Sequence, residues 1–177
     1  VRSRRQRQMC IRDRPLTYAW QTTPIHETIQ TLIEEQKAPV YIVHSTQSLA
    51  VEQAQSVLSL GAAKPSKERV EQLKAAMAGF KFSSGFGTTL RKLLLQGIAV
   101  HHAGMLPKYR RLVEQLAQQG LLQVICGTDT LGVGINVPIR AVLFTTLTKF
   151  DGRRQRHLRS REFHQIAGRA GRAGFDS

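Results

Sequence analysis

Apolar residues at 25, 29, 32 and 33 recur at the spacing of one helical face and predict an amphipathic helix over Ile25–Glu35. Pro39 ends that pattern, and the run VYIV at Val40–Val43 has the β-rich, uninterrupted apolar character of a buried parallel strand. Ser45 and Thr46 carry the side chains that open helices, and the helix they predict runs through Leu60 to a stop at Gly61. Residues 64–96 read as two further helices around the bend Ser83–Gly87. Gly97–His101 is a second strand, and Pro107–Gln119 an amphipathic helix with proline at its start and Gly120 at its close. Leu122–Cys126 and Ala141–Thr146 are the third and fourth strands. A basic loop, Lys149–Arg161, leads to a last helix from Arg161 to Ala173.

Four apolar strands alternating with helices predict an α/β domain: a doubly wound, mostly parallel sheet flanked by helices. The chain stops at Ser177, just behind its last glycine-rich stretch, so the fold is expected to be incomplete at its C-terminal end.

Composition narrows the class. The 177 residues are 41% hydrophobic and 21% charged, as in soluble globular proteins, and no apolar run is long enough to span a membrane. Two cysteines, Cys10 and Cys126, make no disulfide framework, so the chain reads as intracellular: cytoplasmic, or nuclear. Of the net charge of +14, six arginines and one aspartate in residues 1–14 supply +5, and the other 163 residues +9. That remainder is basic enough to imply a polyanionic partner. The string MCIRDR at 9–14 is what a short frame resembling a sequencing adaptor would encode. Residues 1–14 are therefore expected to be a non-native leader, and 15–177 the domain proper.

Three glycine-containing turns follow strands, where open α/β sheets bind ligands. They are HHAGMLP (101–107), GTDTLGVGINVP (127–138) and HQIAGRAGRAG (164–174). In the last, Arg169 and Arg172 are three apart and would share a helix face, with Gly168 and Gly171 keeping that face low. Two guanidiniums together make a fork for phosphate oxygens and suit charge stabilisation in phosphoryl transfer. The bland reading is a small-residue helix packed on the sheet, its arginines merely solvated. His101–His102 lacks the further ligands of a metal site, Cys126 reads as a core thiol, and the basic run 152–161 divides evenly between phosphate contact and a solvated loop.

HQIAGRAGR resembles motif VI of superfamily 2 helicases, and GTDTLGVGINVP their motif V. HHAGMLP and VYIVHST (40–46) are similar to the preceding segments of the DExH-type branch, with a spelling closest to its superkiller-like RNA helicases. The resemblance spans about residues 15–177, leaving 61–96 unmatched as a helical insertion. It implies the second, C-terminal RecA-like lobe of an ATP-dependent motor acting on nucleic acid, RNA before DNA. Arg169 and Arg172 would be its arginine fingers, with Gln165 beside them at the interlobe ATP site. Gly134, Asn136 and Gly168 would approach the nucleotide, and Ser45, Thr46, His102, Gly104 and Thr128 the backbone of the strand. Hydroxyls and turn amides hold phosphates without reading bases.

Neither a G-x-x-x-x-G-K-[ST] loop nor an acidic pair behind a strand occurs in the chain. By the resemblance both belong to an N-terminal lobe, which would bind most of the ATP and hold its Mg2+. A DNA helicase of the same branch and a non-catalytic nucleic-acid-binding module remain the alternatives.

Overall fold

The computed structural model describes residues 16–128, 137–150 and 153–170. The suspected leader, Gly134, Asn136 and Arg172 lie outside these residues.

Helix α1 (Ile25–Glu34) begins after Pro24 and buries Thr28 and Ile29. Strand β1 (Val40–His44) follows, buried along its whole length. Thr46 caps α2 (Gln47–Ser59), its Oγ accepting the Leu49 N–H at 3.3 Å. The buried side of α2 is Ala50, Ala54 and Val57, small residues that let the helix lie close to the sheet. Two helices, α3 (Lys67–Ala76) and α4 (Phe86–Leu95), come next. Ser66 caps the first, and Gly85, at φ +76°, opens the second in a conformation that side-chain-bearing residues rarely adopt. Then come β2 (Ile98–His101), α5 (Pro107–Gln118), β3 (Val124–Thr128) and β4 (Ala141–Phe144).

The four strands form one parallel sheet in the order β2-β3-β1-β4. Val124 pairs with both Val40 and Ile98, so the strand ends are in register. His44 lies opposite Thr128, and His101 opposite Gly127. Strands β1, β2 and β3 are buried throughout and β4 only partly, which is why the first three read as unbroken apolar runs. The expected doubly wound α/β domain is the fold observed.

The segment expected as an insertion is built into the core. Leu73 of α3 and Leu90, Leu93 and Leu94 of α4 are fully buried with Ile42, Ile98 and Ile125 of the sheet. The Tyr109 hydroxyl of α5 accepts the Ser83 N–H at 2.8 Å, and Gly87 lies so close to that hydroxyl that a Cβ there would collide with it.

Two expectations need correction. The basic loop contains an antiparallel hairpin, β5 (Thr148–Phe150) and β6 (Gln155–His157), with Lys149 opposite Arg156. Its strands are polar, so no apolar period announced them. The last helix, α6 (Ser160–Ala167), stops six residues short of Ala173, because Gly168 takes the C-cap position and Ala170 makes a parallel bridge to Ile139. Arg169 therefore lies past the helix end.

Candidate functional site

The carboxyl ends of β1, β2 and β3 form an in-register row, and the loops that leave them carry the residues expected to meet a nucleic-acid backbone. Ser45 is half-buried and Thr46 exposed where β1 gives way to α2. Thr46 Oγ already accepts the capping bond, and its own proton is still available to an outside acceptor. Thr128 closes β3 directly across from His44 and is buried. The structure thus brings Ser45, Thr46 and Thr128 to one corner of the sheet.

His102 and Gly104 follow β2. His102 is buried against the Phe86 ring, 6.4 Å between centroids, whereas Gly104 is exposed. The Gln47 carboxamide from the start of α2 lies against Gly104 so tightly that a Cβ there would clash with it. Gln47 thereby ties the loop after β1 to the loop after β2, a link that nothing in the spacing of either motif revealed.

A second link lies beneath. The Tyr41 hydroxyl donates to the Thr128 carbonyl oxygen at 2.6 Å, fully buried between β1 and β3. Gly127 has no side chain where the Tyr41 hydroxyl and the His101 carbonyl press against it. A tyrosine inside VYIV was the available signal, since a buried hydroxyl has to find a partner.

This row is electrically neutral. Burial pulls the His44 pKa down to about 4, and burial also lowers His102. His101 is lowered by burial as well, against the opposing pull of Glu114, whose carboxylate lies 3.4 Å from its Nε2. His44 Nε2 and the Nδ1 atoms of His101 and His102 have no hydrogen-bond partner among the described residues. Among those residues no cluster of three or more His, Cys, Asp or Glu could hold a metal ion. Burial raises the Cys126 thiol far above its usual range, as expected for an inert core group.

Of the expected nucleotide residues, Gln165, Gly168 and Arg169 are described, and they lie elsewhere, on α6 and the turn behind it. Phe163 of α6 stacks on Phe144 of β4 at 4.8 Å, and the Tyr18 ring lies tilted against it at 5.8 Å. Gln165 and Gly168 are exposed, and Arg169 is buried, at 6% exposure. The bridge from Ala170 to Ile139 sets the end of HQIAGRA beside the residues that follow the GVGIN turn. The front of α6 is held by Glu162, whose two carboxylate oxygens accept Arg156 Nη1 and Nη2 of β6 at 2.7 Å each. One of those oxygens also accepts the Arg159 N–H at 2.9 Å.

Comparison with known proteins agrees with the motif reading. The helicase conserved C-terminal domain family matches residues 21–174. The chain is 48% identical over 87 residues to the antiviral helicase SKI2 of Saccharomyces cerevisiae, covering 49% of this chain and 7% of that protein. It is 45% identical over 84 residues to the ATP-dependent RNA helicase mtr4 of Schizosaccharomyces pombe, covering 48% of this chain and 8% of that protein. A probable helicase, HelY of Mycobacterium tuberculosis, is 48% identical over 86 residues, covering 49% and 10%. The chain thus spans a tenth or less of the length of these relatives. With its parallel sheet, its motif order and a family match over most of its length, the chain belongs to the helicase conserved C-terminal domain family, as the second RecA-like lobe of a superkiller-like helicase.

Proposed function

We propose that this lobe works within an ATP-dependent motor on nucleic acid, RNA before DNA, by gripping the strand backbone and completing an ATP site on a partner lobe of the same protein. The observation that carries the reading is the register of β1 and β3, which sets Ser45 and Thr46 beside Thr128 at one sheet corner. Hydroxyl-bearing residues at the ends of two paired strands, with His102 and Gly104 on the next loop, suit a chain of phosphates. The neutral histidines beside them add no charge. RNA is favoured because SKI2-like relatives include proteins named as RNA helicases, mtr4 among them.

The nucleotide would lie against Gln165, Gly168 and Arg169, together with Gly134, Asn136 and Arg172, and take its Mg2+ from the other lobe. ATP supplies the phosphoryl group whose developing charge the arginines neutralise.

In the full-length enzyme, Arg169→Ala or Arg172→Ala is expected to lower ATP turnover by about a thousandfold or more with an unchanged melting temperature. Near-normal turnover in both variants refutes the finger role. The burial of Arg169 favours a second reading for that residue, as a brace for its turn. A brace would make Arg169→Ala lower the melting temperature, while Arg172→Ala lowers turnover alone. Stimulation of ATPase by RNA and DNA strands of one sequence decides between the two substrates, with the larger stimulation expected from RNA.

A further inference from the structure

We propose that Tyr41 is a positioning residue for the strand grip, acting through Thr128. The inference rests on the reading of Thr128 as a backbone contact. Tyr41 pairs in register with Ile125, so its ring has to run along β3 past Gly127 to reach the Thr128 carbonyl, to which it donates at 2.6 Å. That path exists only because Gly127 has no side chain: a Cβ there would meet the Tyr41 hydroxyl and the His101 carbonyl. The glycine and the tyrosine form one device.

Thr128 is the last residue of β3 and faces His44 in the ladder. The ladder holds its backbone from the side, and the Tyr41 hydroxyl holds its carbonyl from below. With both fixed, the Thr128 backbone has one placement, and its side chain turns only among the staggered positions of one torsion. Pre-organisation of this kind strengthens binding without adding a contact. Tyr41 is fully buried, so it can touch no ligand itself.

The test uses the full-length enzyme, with ATPase followed as single-stranded polyuridine is titrated. Tyr41→Phe removes one oxygen and is expected to raise the half-saturating strand concentration about five- to tenfold, as loss of one buried hydrogen bond would. Maximal turnover at saturating strand is expected to stay at the parent value. In a Thr128→Ala background, Tyr41→Phe should add nothing, because the group it positions is gone. 3-Fluorotyrosine at position 41 keeps ring and donor and should hold the parent value, and a rise there counts against the proposal whether or not Tyr41→Phe folds.

A lowered melting temperature with unchanged half-saturation would reduce Tyr41 to a packing residue and overturn the proposal, as would additive effects in the double variant. Thr128→Ala without effect removes the strand-contact reading beneath it. A Thr128→Ala effect with a silent Tyr41→Phe overturns the proposal alone.

Discussion

His44 shows how much one buried side chain decides at the residue scale. It closes β1 at 5% exposure with Nε2 unpartnered among the described residues, and burial holds its pKa at about 4 against an ordinary 6.5. The unfolded chain therefore binds a proton that the folded one refuses between about pH 6.5 and pH 4. A depressed histidine stabilises fully above its unfolded pKa, and that stability is lost as pH falls through the window. His102 shifts in the same direction. Urea unfolding is expected to give about 2 kcal/mol less stability at pH 5 than at pH 7 from His44 alone, with a smaller fall in His44→Phe. Equal stability of the parent at both values would contradict the buried, neutral state. Gly127 and Gly104 differ in the same local terms. Gly127 abuts the backbone carbonyl of His101, which cannot move away, whereas Gly104 abuts the flexible end of Gln47.

Among the elements, the four strands and most helices were legible because each carries its own period or apolar run. Thr46 and Pro107 announced two helix starts within a residue or two. What local sequence left out was anything fixed by distant partners. The order β2-β3-β1-β4 depends on pairings between residues 26 to 101 positions apart, and the β5–β6 hairpin on backbone bonds its charged side chains do not signal. The end of α6 was misjudged because alanines and arginines are good helix formers, while the bridge from Ala170 to Ile139 takes the chain elsewhere. Helices α3 and α4, expected as an insertion because no motif matches them, contribute Leu73, Leu90, Leu93 and Leu94 to the core. Leu93→Ala, at a fully buried site, is expected to cost about 3 kcal/mol in urea unfolding. A cost below about 1 kcal/mol would mean that α4 is a dispensable appendage.

At the scale of the whole molecule, the expected site residues fall into two groups. Ser45, Thr46, His102, Gly104 and Thr128 line the carboxyl ends of the strands, while Gln165, Gly168 and Arg169 gather at α6. The first group was readable from motif order, whereas the ties that set its geometry, Tyr41 to Thr128 and Gln47 to Gly104, come from contacts between separate strands and loops. With the phosphate-cradling loop and acidic pair missing from its sequence, the 177-residue chain by itself is expected to hydrolyse no ATP above background. It should bind single strands weakly, with affinity falling steeply as salt rises. Vigorous turnover by the purified chain would reject the two-lobe division. The bidentate clasp of Glu162 on Arg156 has a mechanical corollary. One carboxylate both caps the start of α6 and binds the hairpin, so β6 and the helix that bears Gln165 share one point of attachment.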